Sequence, residues 1–555
     1  MKSVSLYIFF TLIWLFPAVH SQLPHGGKPY PYSSLKSGLK PIVLAGFDMQ
    51  QAIDESLSED AVSGKKPFRF AWNYSLELTP ENSGAWNEMP DGKRVWRIHL
   101  VSEGAYGVNI DFSKYRLNPG CLVFIYPPSQ DYFFGGFNYR NNNESQILPT
   151  SFVKGEELVI ELQTEPGITD YGSLQIGSLA HAYIDIFSKK ENNFGPSGSC
   201  NVDINCPEGA DWQLIKKSVC RITVKSGSNS VFCTGTLINN TKKDTIPYML
   251  TANHCINSVS RANSAMFVFD YEVDTCKMTY VSASYSLAGS TMLATSDSID
   301  FTLLRLYEMP PEVYKPFYAG WSISDNPASN AVCIHHPEGD VKKISIENNP
   351  VTAEYQDPVP SNLAWLYNES VPQAFWRVTK WEIGTTEGGS SGAPLFNQNK
   401  LIVGNLTGGQ ANCTNPVNDY FSKFHMGWDY YPNSSKQLKY WLDPVNSGIT
   451  NLKGFDPFGV NDTIPIDTTK YAEHFTLFPN PTDGLATFET DSLDISGGML
   501  SIFTVTGKRM IQYTITDEQR ITFDVSFLEQ GLYILEFSKG NIRERKRLLV
   551  IQHQK

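Results

Sequence analysis

Eight of the nine cysteines in this 555-residue chain fall between Cys200 and Cys413; the ninth, Cys121, stands alone near the front. Cysteine use of that density fits an exported, oxidised protein, because cytosolic thiols are kept reduced. No Cys-x-x-Cys pair occurs, so a zinc site is a poor reading. Spacing alone leaves the disulfide pairing open. The same stretch reads as short strands. Apolar, β-branched and aromatic runs at 231–238, 248–251, 266–271, 301–306 and 401–406 are punctuated by Gly, Pro, Asn and Ser. One late helix is expected. Ser434 or Ser435 would cap it, Leu438, Trp441 and Leu442 would form its apolar stripe, and Pro444 would stop it.

Length and composition frame this segment. At roughly 100–200 residues per domain, about three domains are expected. Hydrophobic residues are 41% and aromatics 13%, enough to fill large cores. Lysine and arginine total 45 against 57 acids, a formal charge of −12. No broad basic field is present to neutralise phosphates, so nucleic acid is not an expected partner. Residues 1–21 read as a secretory signal, with Lys2 as the positive start, apolar 4–19, and small Val19 and Ser21 before a new N-terminus at Gln22. A membrane anchor is the alternative reading of that segment. Downstream, no run approaches the roughly 20 apolar residues a membrane span needs, so no transmembrane anchor is expected in the mature protein. Residues 22–195 form a β-rich region, with strands at 94–100, 105–112, 121–126, 157–163 and 182–187, for which a β-sandwich is the natural architecture. Lys189-Lys190 and the polar run after it read as an exposed, cleavable junction. Residues 196–450 carry the cysteines, 451–470 read as a linker rich in Gly, Asp, Pro and Thr, and 471–555 are again strand-like.

The chemistry-bearing motif is Gly389-Ser390-Ser391-Gly392-Ala393-Pro394. Glycines beside a serine let the backbone turn tightly, so that successive N–H groups converge beside the hydroxyl. Serine is a weak nucleophile near neutral pH and needs a base. His254, in Leu250-Thr251-Ala252-Asn253-His254-Cys255, is the candidate base, and Asp300, directly before the apolar run 301–306, is the candidate orienting carboxylate. Asp297 is the rival for that third place. Each residue alone has an ordinary structural reading, as a loop, a cysteine-flanking histidine or a turn residue. Order and strand context together favour a Ser-His-Asp triad, with an oxyanion hole from the N–H groups of Gly389 and Ser391.

These residues carry a resemblance. Gly198-Ser199-Cys200-Asn201, Cys206-Pro207-Glu208-Gly209, Cys233-Thr234-Gly235-Thr236-Leu237, Leu250 to Cys255, Asp300 to Leu304, Ile334-His335-His336-Pro337, Thr386 to Gly392 and Trp441-Leu442-Asp443-Pro444 resemble lysyl endopeptidase, a branch of the chymotrypsin-like serine peptidases. The resemblance implies an all-β fold with a chymotrypsin-like double β-barrel at 196–450, after an N-terminal β-sandwich pro-region. It implies hydrolysis of protein or peptide substrates after lysine through an acyl-enzyme, without cofactor or metal. It implies disulfides Cys200–Cys413, Cys206–Cys276 and Cys233–Cys255. Cys220 and Cys333 remain and are paired by elimination, with two buried thiols as the alternative. The family's carboxylate for the substrate lysine maps to Asp419, and its substrate-side run to Thr407-Gly408-Gly409. Thr407 stands where the family has histidine, which puts that histidine's stacking in doubt; Tyr355 is a candidate aromatic partner. Arginine carries the same charge as lysine, so only shape would exclude it. His335-His336 do not read as a metal site, since neighbours on a strand face opposite ways. Ser390 replaces the Asp that pairs with a freed amine in trypsin-like zymogens. Latency is therefore expected from the N-terminal region covering or distorting the site, with self-cleavage at Lys189-Lys190.

The tail resembles the C-terminal sorting domain of type IX secretion in Bacteroidetes, through Phe475 to Pro481, Val505-Thr506-Gly507-Lys508, Leu528 to Leu535 and the basic end Arg543 to Arg547. That implies a small β-sandwich read by outer-membrane export machinery, and a protein released or held at the cell surface after passage through the periplasm. Two other readings stay open: an inactive peptidase scaffold acting as a surface-binding protein, and an active serine peptidase with another preference at the residue before the cut.

Overall fold

The structure, a computed structural model, describes residues 21–22, 26–32, 39–63, 67–187, 197–276, 281, 284–352 and 371–459; in the tail it describes 475–480, 482, 484–490, 494–504, 509–517, 519–528, 531–539 and 542–550. Residues 1–20 of the expected signal, the Lys189-Lys190 junction, Tyr355 and residues 460–470 of the linker lie outside the described residues. Strands dominate, as the short apolar runs require. One compact unit runs to Pro457 and a second carries the tail from Phe458.

In the first unit, the N-terminal region lays two sheets face to face. Arg94–Val101, Glu157–Thr164 and Cys121–Tyr126 pair antiparallel in one sheet. Gly107–Leu117, Gly172–Ala182 and Phe68–Leu78 pair antiparallel in the other. Trp96, Ile98, Ile110, Phe112, Val123 and Ile160 fill the space between. The run at 182–187 is not a strand beyond Ala182, where pairing stops.

The second of these sheets does not end at the N-terminal region. Phe68–Leu78 also pairs with Asn229–Leu237, with Phe68 opposite Phe232 and Trp72 opposite Asn229. The sheet continues through Val219–Ser226, Met266–Phe269 and Tyr285–Ala288, and branches to Tyr248–Thr251, Phe301–Leu306 and Ser290–Ser296. Sequence patterning treats residues 22–195 and 196–450 separately; backbone pairing runs across the two, because an open strand edge is completed by its neighbour. A nine-stranded sheet includes Lys343–Glu347, Ala331–His335, Pro394–Asn397, Ile402–Gly409, Val417–Lys423 and Phe375–Lys380. Leu250, Phe301 and Leu303 of the first sheet share a core with Ile334, Phe396 and Ile402 of the second.

The late helix is shorter than its sequence reads. A 3-10 turn, Ser434–Lys436, is capped by Asn433, whose side chain accepts from the Ser435 N–H. A four-residue helix, Lys439–Leu442, follows. Between them Gln437 is extended, and its side-chain amide donates to the carbonyls of Tyr431 and Pro432. A fifteen-residue helix, Met49–Ser63, was not expected; of its described side chains Ala52 alone is buried.

The tail unit holds two small sheets. Phe475–Phe478, Leu485–Thr490 and Arg520–Asp524 form one. Met499–Thr504, Arg509–Thr514, Gly531–Lys539 and Ile542–Val550 form the other. Phe488, Leu500, Ile502, Phe523 and Phe537 make their common core.

Three disulfides are formed: Cys200–Cys413, Cys206–Cys276 and Cys233–Cys255. The fourth expected pair, Cys220–Cys333, is corrected. Cys220 sits among Ile222, Leu237 and Met249 with its thiol 3.7 Å from the Met249 sulfur, whereas Cys333 belongs to a different core, with Trp376 and Leu395. Both carry thiols, as does Cys121. Thiol titration of the denatured, unreduced protein should therefore return three thiols; one would mean that Cys220 and Cys333 are joined after all.

A buried ion cluster ties the sheets. Glu272 bridges Lys216 at 2.6 Å and Lys342 at 3.1 Å. Burial pushes the Glu272 carboxyl up, and the two ammoniums outweigh it, holding it from 4.5 down to about 2. A depressed carboxylate stabilises the fold above its unfolded value and loses that contribution as pH falls. The shift corresponds to roughly 3 kcal/mol. Glu272→Gln should lower the thermal midpoint at neutral pH, and its gap from the native protein should shrink below pH 4.5 and close near about 2. A gap constant with pH would sink this assignment.

Candidate active site

Strand pairing brings the histidine and the carboxylate together. Tyr248–Thr251 pairs antiparallel with Phe301–Leu306, Thr251 opposite Thr302. His254 follows the first strand by one tight turn, and Asp300 immediately precedes the second. Asp300 adopts the left-handed backbone, φ 58°, a conformation that costs energy for a non-glycine residue and is held by its surroundings. Its carboxylate accepts the His254 backbone N–H at 3.0 Å and lies 2.9 Å from His254 Nδ1. Asn405 Nδ2 donates to the Asp300 carbonyl at 3.0 Å, and the Thr407 hydroxyl faces the carboxylate. Burial pushes the Asp300 carboxyl up; the charge of His254 and the hydrogen bonds from its ring and backbone outweigh that and keep it below its ordinary range. Asp297, the rival, bonds the Ser298 N–H at the turn surface.

The serine comes from the other sheet, on the loop before Pro394–Asn397. His254 Nε2 lies 2.7 Å from Ser391 Oγ. Gly389 and Gly392 flank this turn with φ 88° and 83°. A Cβ on Gly392 would fall 2.3 Å from Thr251 Oγ1 and 2.4 Å from the Thr234 carbonyl, so only glycine lets the serine loop lie against the histidine strand. The Thr234 N–H donates to the Ser391 carbonyl at 2.8 Å, and its hydroxyl donates to the Gly389 carbonyl at 3.0 Å. The Cys233–Cys255 bond joins the residues beside Thr234 and His254. Asn253 donates to the Thr295 hydroxyl at 2.8 Å, which gives its amide a place.

Several residues turn out to have supporting roles that the sequence did not assign them. His335 Nδ1 lies 2.8 Å from Ser390 Oγ, and its Nε2 lies 3.0 Å from Ser345 Oγ. Ser390 is thus packed on a buried imidazole from below. His336 turns away and bonds the Asp340 carbonyl at 2.9 Å. Glu387 accepts the Gly198 N–H at 3.0 Å and the Asn201 amide at 2.7 Å, which ties the start of the cysteine-rich region to the serine loop. The clue was the acid four residues before Ser391, which sequence left without a partner.

Asp419 is fully buried in Val417–Lys423, opposite Gly409. Its Oδ2 accepts Trp381 Nε1 at 2.7 Å and Thr386 Oγ1 at 2.6 Å. A Cβ on Gly409 would fall 2.3 Å from Asp419 Oδ1, so the missing side chain makes room for the carboxylate. Gly408 pairs with Tyr420, whereas Thr407 is buried on the Asp300 side. No group of three or more His, Cys, Asp or Glu able to hold a metal ion occurs among the described residues. The arrangement can pass a proton from a hydroxyl to an imidazole that a carboxylate aligns, which is the requirement for acyl transfer.

Residues 194–422 match the family model of the lysyl endopeptidase C-terminal domain, and residues 476–552 match the secretion system C-terminal sorting domain. A lysyl endopeptidase of Pseudomonas aeruginosa is 27% identical over 365 residues, covering 61% of this chain and 74% of that protein. A secreted RxLR effector protein of Plasmopara viticola is 22% identical over 311 residues, covering 52% of this chain and 71% of that protein. Among solved structures, a thermostable serine protease from an extremophilic microorganism is 11% identical with a TM-score of 0.27, covering 38% of this chain and 92% of its own. A protease from Arthrobacter nicotinovorans is 15% identical with a TM-score of 0.28, covering 37% and 90%. The chain is a serine endopeptidase whose residues 194–422 match the lysyl endopeptidase C-terminal domain and whose residues 476–552 match a secretion-system sorting domain.

Proposed function

We propose that this protein hydrolyses peptide bonds C-terminal to lysine, with Ser391 as nucleophile, His254 as general base and acid, and Asp300 as the group that orients and stabilises the imidazolium. The observation that carries this reading is the continuous chain from Ser391 Oγ through His254 to Asp300, at 2.7 and 2.9 Å. Ser391 Oγ attacks the carbonyl while His254 takes its proton; the amine leaves with that proton, and water repeats the sequence on the acyl-enzyme. The N–H groups of Gly389 and Ser391 stabilise the oxyanion, each such donor being worth about 10²–10³ in rate. Residues 196–450 form the peptidase as two β-barrels with the site between them, 22–195 are the pro-region, and 451–470 link it to a sorting domain at 471–555. That domain delivers the protein to type IX export machinery and to the cell surface or medium.

Asp419 sets the preference for lysine. A carboxylate without exposure, beside a strand end opened by Gly408 and Gly409, is a fitting floor for an ammonium. Leaving such an anion unpaired is costly, which rejects neutral side chains. A second reading has its own observation. Asp419 Oδ2 already accepts from Trp381 and Thr386, so the carboxylate could serve only to brace the strand, and the preference would then lie elsewhere.

Ser391→Ala should lower kcat by about 10⁶-fold with an unchanged thermal midpoint, and a fluorophosphonate probe should label Ser391 of the native protein alone. An unlabelled Ser391 in folded, processed protein would favour an inactive scaffold. Asp419→Asn should lower kcat/KM on a lysyl amide by about 10²–10³ and scatter the cuts mapped on a denatured protein. Cuts still confined to lysine would assign Asp419 the bracing role.

A further inference from the structure

The N–H groups proposed to hold the oxyanion, those of Gly389 and Ser391, belong to a loop whose peptide planes are pinned from behind. A trans peptide is planar and points its N–H opposite to its C=O, so a bond to the carbonyl also aims the N–H. The Glu338 N–H donates to the Gly388 carbonyl, which aims the Gly389 N–H the other way. Glu338 takes the left-handed backbone, φ 51°, where it presents that N–H. The Ala393 N–H donates to the Ser390 carbonyl at 2.9 Å, which does the same for the Ser391 N–H. Both bonds keep their aim only while the loop from Thr385 to Ser390 holds its shape.

Side chains beneath the loop supply that shape, and their protons can be placed one by one. Ser345 Oγ donates to the Thr385 carbonyl at 2.8 Å, because a carbonyl has no proton to give. With its proton spent, Ser345 Oγ can only accept from His335 Nε2, 3.0 Å away. Nε2 therefore carries the ring proton. In a neutral imidazole Nδ1 is then an acceptor, and the Ser390 hydroxyl, 2.8 Å away, donates to it. Ser390 Oγ in turn accepts the Glu387 N–H at 3.3 Å. The bonds run one way from Glu387 through Ser390, His335 and Ser345 to Thr385, and the short run from Thr385 to Glu387 closes the circuit. His335 and Ser345 lie on the paired strands Ala331–His335 and Lys343–Glu347. His335, Ser345, Thr385 and Ser390 have no exposure. A buried hydroxyl or imidazole is costly without a partner, so the members hold one another in place.

We propose that His335 is the positioning residue of the oxyanion loop. Its imidazole braces Ser390 at one end of the loop and, through Ser345, Thr385 at the other, so that the Gly389 and Ser391 N–H groups are aimed before substrate binds. The ring touches no reacting atom and acts only through the hydroxyls on either side of it. A serine at 390 suits this role because it can donate to Nδ1 while accepting from Glu387. An ionised carboxylate in its place could accept but not donate. The inference deepens the Ser391-His254-Asp300 reading above and does not depend on the preference for lysine.

The test compares wild type with His335→Leu, His335→Asn, Ser390→Ala and the pair His335→Leu/Ser390→Ala, expressed as full chains and matched in length by intact mass. The readouts are kcat and KM on a lysyl nitroanilide, the rate of fluorophosphonate labelling at Ser391, and the thermal midpoint. Leu fills the space of the ring without an acceptor; Asn carries an oxygen at the same remove from Cβ as Nδ1 and keeps the bond from Ser390. His335→Leu should lower kcat by about 10²-fold, the worth of a lost oxyanion donor, with KM changed by no more than about twofold, and labelling should slow in parallel. His335→Asn should recover at least about tenfold of that loss, and Ser390→Ala should cost nothing further in the His335→Leu background, since one circuit is broken in both. A folded His335→Leu with the kcat of wild type would overturn the proposal. So would an Asn variant as slow as the Leu variant, which leaves the ring a packing role, or losses that add. Should His335→Leu not fold, Ser390→Ala decides alone, and an unchanged kcat there overturns the proposal. Wild type that neither hydrolyses the substrate nor takes the label would instead sink the triad reading, and this inference with it.

Discussion

The pairing of Tyr248–Thr251 with Phe301–Leu306 is the constraint on which the site depends. It fixes a one-turn loop ending in His254 against the first residue before a strand, Asp300, and so converts two positions 46 residues apart into a bonded pair. Burying that carboxylate would be prohibitive alone. The imidazole and the His254 backbone N–H compensate the lost water and favour the ionised form of Asp300 beside the ring. The orientation of the imidazole is thereby built into the fold.

Around this pair the second sheet supplies the hydroxyl, and small residues decide how close it comes. Gly392 leaves the space into which Thr251 and Thr234 project, and Gly409 does the same for the Asp419 carboxylate. Both are close-approach positions: one added carbon would push the serine loop off the histidine strand at Gly392, and would push apart two paired strands of one sheet at Gly409. The polar residues beneath the serine loop, His335 on Ser390 and Glu387 on Gly198 and Asn201, hold it from the opposite side. The N-terminal region answers the same need to complete edges: Asn229–Leu237 requires a neighbour, and Phe68–Leu78 provides one.

Residues with a fixed chemical or conformational duty were the legible ones. Ser391, His254 and Asp300 stood out because glycines, a short apolar strand and their order all pointed the same way, and the structure brings those three together. Strands at 248–251, 301–306 and 121–126 were readable to the residue because turn residues bracket them. The reading failed where a local pattern had two outcomes. Residues 434–442 have a helical stripe, yet Gln437 commits its amide to Tyr431 and Pro432 and breaks the helix. Cys220 and Cys333 had no assigned partners, and elimination joined them although different cores enclose them.

What the sequence determined by itself was chemistry and local geometry: which hydroxyl, imidazole and carboxylate are available, where the chain must turn, and which half-cystines the resemblance pairs. These follow from side-chain identity and short-range sterics. Only the tertiary structure decided that the N-terminal strands share a sheet with the peptidase, that Glu272 joins Lys216 and Lys342, and that Phe68 lies on Gly388. Those contacts join residues from about 50 to more than 300 positions apart, and nothing in a local window encodes which open edge, or which buried charge, will meet which.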